Sequence, residues 1–203
     1  YKALTDCGIE GFWNDMNEPA IFYSEKHLKE VFEKMEDYKK MNLDVNTFFE
    51  MTGMIGGICN NPEDYASFYH NYKGRRYRHD QVHNLFGYYM TRSASEAFER
   101  YVPEKRILLF SRASYIGMHR FGGIWQGDNA SWWSHLEMNV KMMPSLNMCG
   151  FLYTGADVGG FGADATEDLV LRWLEFAVFT PLLRNHSARG TRRQEVYRFS
   201  HVE

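Results

Sequence analysis

Five short apolar runs punctuate the chain, and each hands over to a polar or charged residue at its C-terminal end. Gly8-Ile9-Glu10-Gly11-Phe12-Trp13 leads into Asn14-Asp15. Ile107-Leu108-Leu109-Phe110 ends at Ser111-Arg112. Gly122-Gly123-Ile124-Trp125 ends at Gly127-Asp128-Asn129, and Phe151-Leu152-Tyr153 at Gly155-Ala156-Asp157. The stretch 178–183 ends at Arg184-Asn185-His186. Continuous apolar runs of this length predict strands buried on both faces. Helical periods separate most of them. Leu28, Phe32, Met35 and Tyr38 mark an amphipathic surface helix within 25–40. Val82, Leu85, Tyr89, Ser93 and Ala97 mark another over 82–101, which Pro103 stops. A Trp/Leu/Met-rich helix runs to about residue 145. Asp164 with Glu167 three later predicts a capping box, ahead of a helix carrying Leu169, Trp173 and Phe176.

Strand, loop and helix in repetition predict a parallel sheet. Reactive groups at the carboxyl ends of several strands suit a (β/α)8 TIM barrel, whose loops over one face build the site. Such a barrel has eight strands in about 250 residues. Five strands here predict the C-terminal portion of one, with residues 1–203 as a partial catalytic domain. About 20–80 is too long for an ordinary βα connection and is expected to be an inserted excursion after the first strand. Within it, the Gly-, Met- and Asn-rich 51–62 reads as loop. The chain starts at Tyr1, and Phe199-Ser200-His201-Val202-Glu203 offers no closing element. A segment of a larger enzyme is therefore expected.

Composition narrows the partners. Of the 203 residues, 44% are hydrophobic and 24% charged, as in globular domains. A net charge of -3 gives no field for gathering nucleic acid. The basic run Lys73-Gly74-Arg75-Arg76-Tyr77-Arg78-His79 reads as solvated surface or local ion pairing, with Asp80 part of the same local structure. No apolar stretch approaches a membrane span. Cys7, Cys59 and Cys149 form no CxxC pair, and so sparse a set leans toward a reducing, cytoplasmic compartment. An aromatic share of 16% supplies rings for a core or for a pocket wall.

Asp15 and Asp128 lie far apart in sequence and can meet only through the fold. Cleavage of a sugar bond needs two carboxyl groups, one at the anomeric carbon and one to protonate the leaving oxygen. The proton donor of such a pair needs a less polar surrounding or a nearby negative charge. Trp125 offers the first and Asp15 the second. Arg112 is placed to keep a carboxylate ionised or to hold a hydroxyl. The residues alone leave three readings open: a barrel enzyme using acidic catalysis, a metal hydrolase using Asp and His, and a barrel without catalysis. His79, His83, His119 and His135 show no ligand spacing together, and there is no HExxH or comparable compact set, so no metal site is expected among them. Glu18 reads as a loop brace, and methionines such as Met142 and Met143 as core.

Gly11-Phe12-Trp13-Asn14-Asp15-Met16-Asn17-Glu18-Pro19 closely resembles the nucleophile signature of glycoside hydrolase family 31. Trp125-Gln126-Gly127-Asp128-Asn129 resembles that family's acid/base signature. Arg112, Gly155-Ala156-Asp157-Val158-Gly159-Gly160-Phe161 and Arg184-Asn185-His186 follow in matching order and spacing. The resemblance implies a retaining α-glycosidase acting on α-glucoside oligosaccharides, with neither metal nor organic cofactor. It makes Asp15 the nucleophile and Asp128 the acid/base. Arg112 and His186 would hold hydroxyls, Asp157 would be a pocket aspartate, and Trp13, Met16, Trp125 and Phe161 would be wall residues. Asp-Met-Asn-Glu matches the α-glucosidase branch rather than the Asp-Phe-Gly-Glu of α-xylosidases. Transglucosidase, α-xylosidase and a non-catalytic sugar-binding barrel are the alternatives. Ser187-Ala188-Arg189-Gly190-Thr191 departs from the family's usual His-containing text, which leaves linkage and chain-length preference open. A family aspartate upstream of this segment is lacking, so activity is expected only in the full-length enzyme, through which a homo-oligomer could also form.

Overall fold

A computed structural model describes residues 1–20 and 22–199, so the expectation about the end at 200–203 lies outside the described residues. The chain forms two compact units, Tyr1–Asp15 with Gly87–Glu203, and Met16–Phe86.

In chain order the elements are α1 (Lys2–Asp6), β1 (Gly11–Asn14), α2 (Glu25–Tyr38), α3 (Val45–Gly56) and α4 (Pro62–Ser67). Then come β2 (Tyr69–Tyr72), β3 (Arg75–Arg78), α5 (His79–Val82), α6 (Phe86–Tyr101), β4 (Leu108–Ser111) and β5 (Gly123–Trp125). Last are α7 (Trp133–Met148), β6 (Thr154–Val158), α8 (Glu167–Ala177) and β7 (Leu182–Asn185).

The first unit is a five-stranded sheet in the order β1-β4-β5-β6-β7. All four pairings are parallel, with Asn14 opposite Ser111 and Asp157 opposite Arg184. The sheet curls as half of a (β/α)8 barrel. Side chains alternate across it. Phe12 and Leu109 face outward and meet Ala94, Phe98 and Val102 of the α6 segment. Ile124 packs with Met118 and Phe151. Val158 packs with Leu169, Trp173 and Ala177, three α8 residues at spacings of four. Burying each large side chain there contributes about 1.5–3 kcal/mol. Trp13, Phe110 and Trp125 point to the other face, where Trp13 stacks on Phe110 with centroids 5.0 Å apart. Gly155 permits the close approach of β7, because a Cβ there would overlap the Leu182 carbonyl.

Two boundaries differ from the sequence pattern. Leu152 and Tyr153 are exposed and precede β6, which begins at Thr154. Val178 caps α8, and β7 starts only at Leu182. In both places an apolar connection resembles a strand by composition alone. The cap of α8 also differs. Thr166, not Asp164, accepts the Leu169 amide, while Asp164 accepts the Arg192 amide.

In the second unit Ser24 caps α2 and Asp44 forms a capping box with Thr47 at α3. On α2 the buried residue is Val31, and Phe32 is 64% exposed. The inward stripe is Leu28, Val31, Met35 and Tyr38, at spacings of three, four and three. Phe32 lies about 100° away from Val31 around the helix. The first half of 51–62 is helix, because the capping box starts α3 early enough to carry its apolar residues through Gly56. Pro62 then opens α4, with Asn61 as its cap. The antiparallel pair β2–β3 holds the basic run, where Arg76 lies over the Tyr69 ring and Arg78 pairs with Asp80.

His79 is fully buried, against the surface assignment of its run. It sits between His70 and His83, with ring nitrogens 2.8 and 2.9 Å apart, and stacks on Phe22. A neutral ring donates from one nitrogen and accepts at the other, so it suits the middle of this chain. Burial, then the neighbouring His83 and His70, push its pKa down to about 4, against a weaker opposing pull from Asp80. The unfolded chain therefore binds a proton near pH 6.5 that the folded unit refuses until about pH 4. Stability from this group should be intact above pH 6.5 and fall by about 3 kcal/mol as pH drops toward 4. Amide exchange of peptides from 62–86, corrected for intrinsic pH dependence, should show that loss. A His79→Gln variant with the same acid sensitivity would refute it.

Candidate active site

Parallel pairing in register brings the carboxyl ends of all five strands to one edge. Asp15 follows β1 directly and Arg112 follows β4. Asp128 lies three residues past β5, Asp157 is inside β6, and His186 follows β7. The Nη1 of Arg112 stands 3.1 Å from Asp15 Oδ1 and 3.4 Å from each Asp128 oxygen. One guanidinium nitrogen thus reaches both carboxylates. Their nearest oxygens can be no more than about 6.5 Å apart, the lower limit of the inverting range. Both carboxylates are half exposed and Arg112 is mostly covered, so the charges are supported from below and open to an incoming molecule.

Beneath them, Arg184 lies 4.1 Å from the centroid of the Trp13 ring and 5.4 Å from that of Trp125, and the two indoles are 4.5 Å apart. The same guanidinium donates to Asp157 Oδ1 from Nε at 2.9 Å and Nη2 at 2.6 Å. Asp157 is wholly buried. Burial raises its pKa, and the Arg184 charge and hydrogen bonds offset part of that rise. Its Oδ2, with the indole nitrogens of Trp13 and Trp125, is buried without a hydrogen-bond partner among the described residues. Unpaired polar atoms are uncommon in protein interiors, and here three belong to residues that touch Arg184.

Phe161 stacks on His186 with centroids 5.2 Å apart. Its loop turns at Gly159 and Gly160, with φ of 83° and 92°. A Cβ at Gly159 would overlap Gln194, and one at Gly160 would run into the Ser131 backbone. The sharp turn therefore needs both glycines. The neighbouring loop is fixed by amides: the Phe161 N–H donates at 2.9 Å to Asn129 Oδ1 and to the Asn129 carbonyl.

The first unit therefore gathers Asp15, Arg112 and Asp128 around one nitrogen, Trp13, Trp125 and Asp157 around Arg184, and Phe161 with His186. Met16 begins the second unit, at φ 55° and 45% exposed. Motif reading gave no role to Arg184, Asn139 or Gln194. Arg184 carried a signal, since it precedes His186 by two and so shares its strand face. Asn139 carried one too, as an amide on the stripe Leu136, Asn139, Met143, Leu146. Gln194 lies in irregular chain, where no period marks it.

The parallel half-barrel carries this carboxylate pair at the carboxyl ends of its strands, the edge on which (β/α)8 barrels build their sites. The model of the glycosyl hydrolases family 31 TIM-barrel domain matches residues 1–203. The chain belongs to glycoside hydrolase family 31. It is 33% identical over 199 residues to alpha-glucosidase 2 of Bacillus thermoamyloliquefaciens, covering 98% of this chain and 21% of that protein. It is 32% identical to neutral alpha-glucosidase AB of Dictyostelium discoideum, covering 93% and 16%. Among solved structures, the Flavobacterium johnsoniae GH31 dextranase complexed with glucose superposes with a TM-score of 0.65 at 26% identity, covering 92% and 19%. The chain thus spans about a fifth of the length of these relatives.

Proposed function

We propose that this chain supplies the catalytic half-barrel of a retaining α-glucosidase, which releases glucose from the non-reducing end of α-linked oligosaccharides. The observation that carries this reading is the pair Asp15 and Asp128 held by one arginine nitrogen at the carboxyl edge of the sheet, the two carboxyl groups that cleavage of a glycosidic bond needs. Asp15 attacks the anomeric carbon and becomes a glucosyl ester as Asp128 protonates the departing oxygen. Asp128 then takes a proton from water, and that water displaces Asp15 and restores the α configuration. Arg112 holds the two carboxylates in place. The unpaired Asp157 Oδ2 and the indole N–H groups suit sugar hydroxyls, which both donate and accept. Phe161 offers an apolar face to the ring's C–H face and His186 holds a hydroxyl, while Trp13 and Trp125, packed on each other and on Arg184, back the wall. The other three barrel strands belong to sequence outside these 203 residues, and the three free cysteines favour a cytoplasmic enzyme.

The test is a time-resolved proton NMR spectrum of the full-length enzyme on maltose, isomaltose and an α-xyloside. The first product should be α-glucose, with the α-xyloside turned over at least about tenfold more slowly than the better glucoside, the scale of one pocket contact. β-Glucose as first product would refute retention, and preference for the α-xyloside would refute the glucoside assignment.

A further inference from the structure

One buried side chain ties down both shoulders of the loop that carries Asp128. Asn139, on the inner face of α7, has no exposed surface. Its Oδ1 accepts from Asn129 Nδ2 at 3.0 Å. Its Nδ2 donates to Gln126 Oε1, and Gln126 Nε2 returns a bond to the Asn139 carbonyl at 3.3 Å. Gln126 lies two residues before Asp128 and Asn129 one after. Asn129 is buried as well, and its amide also reaches the Asp157 carbonyl at 3.0 Å and the Phe161 N–H. Between the shoulders Gly127 stands at φ 75°, and the Asn129 N–H closes back on the Gly127 carbonyl at 3.0 Å. The turn is short, and its outward-pointing residue is half exposed. Where the Asp128 carboxyl sits thus depends on the backbone of 126–129, and that backbone is referenced to a rigid helix through Asn139.

We infer that Asn139 is a positioning residue for the proton-transfer step: through Gln126 and Asn129 it sets the place of Asp128 relative to the leaving oxygen. This rests on the reading of Asp128 as acid/base. A displacement of about 1 Å can lower a rate by roughly 10²-fold. Removing Asn139 leaves the Asn129 amide and Gln126 each short of a partner, so the turn is free to shift while Asp15, Trp13 and Asp157 keep their own contacts. The defect should therefore fall on steps that need Asp128. A residue that only stabilised the fold would slow all substrates alike.

The experiment compares Asn139→Ala with Asp128→Ala in the full-length enzyme, on maltose and on 4-nitrophenyl α-glucoside, whose phenolate leaves with little protonation. For Asn139→Ala, kcat on maltose should fall by about 10- to 100-fold with KM within about threefold. The first step on the aryl glucoside should fall less than about threefold, and azide should accelerate release of the enzyme-bound sugar. If Asn139→Ala does not fold, Asn139→Ser, which keeps a hydroxyl to accept from Asn129, carries the same test with a smaller selective loss. Equal loss on both substrates, or no loss, overturns the inference when Asp128→Ala shows the selective pattern. If Asp128→Ala itself lacks that pattern, the acid/base assignment fails and the inference falls with it.

Discussion

Replacing Asp15 by Asn should abolish turnover of every α-glucoside, by roughly 10⁴-fold or more, whatever the leaving group. The amide nearly preserves the shape of the carboxylate but cannot form the glucosyl ester. Arg112 would keep its contact with Asp128 at 3.4 Å, so loss of fold is not the cause. Asp128→Ala should behave differently. Maltose hydrolysis should fall by about 10²–10⁴-fold, the usual worth of a general acid, because a sugar alkoxide is a poor leaving group. An aryl glucoside should still react in its first step, and the glucosyl ester should then accumulate, since nothing deprotonates the water. Azide needs no base, so it should restore turnover and yield α-glucosyl azide. Mass spectrometry of the trapped protein, with the ester mapped to the peptide holding Asp15, checks both halves. If the ester maps to the peptide holding Asp128, the two roles are reversed.

Arg184→Met should cost about 3–5 kcal/mol, the usual consequence of stranding one member of a buried ion pair. Asp157 is fully buried, and burial already raises its pKa against the offsetting pull of Arg184. Without the guanidinium the carboxyl has no charge partner at 2.6 Å, and the rings of Trp13 and Trp125 lose the cation beside them. The pH dependence has a definite sign. In the variant, folded Asp157 holds its proton to higher pH than the unfolded chain does. The deficit should therefore be largest near neutrality and shrink as the pH falls and the carboxyl neutralises. The double variant Arg184→Met with Asp157→Leu should recover much of the loss, because a buried pair replaced by apolar groups is often near neutral in stability. Thermal unfolding of the full-length enzyme, with amide exchange across 154–186, measures it. A single-variant deficit independent of pH would show that Asp157 is not the stranded charge.

The sequence by itself determined the order of the five barrel strands and of the helices α6, α7 and α8 between them, the parallel class of the sheet and the delivery of Asp15, Arg112, Asp128, Asp157 and His186 to strand ends. Each of these is a local matter. An apolar run that stops at a polar residue is already written in neighbouring positions, and a parallel sheet then puts every such stop at one edge. Composition was a weaker guide wherever an apolar segment had two uses. Leu152-Tyr153 and residues 178–181 read as strand but are connections, and Phe32 read as part of the apolar stripe of its helix while Val31 is the buried residue. Only the tertiary structure decided which charges meet. Register sets Asp157 opposite Arg184, and the curl of the sheet brings that arginine against both Trp13 and Trp125. The same curl lets one Arg112 nitrogen reach two carboxylates on different strands. A helix face aimed at a loop places Asn139 against both shoulders of Asp128. These are contacts between residues remote along the chain, fixed by strand register and helix packing, and no period or motif within a single segment encodes them.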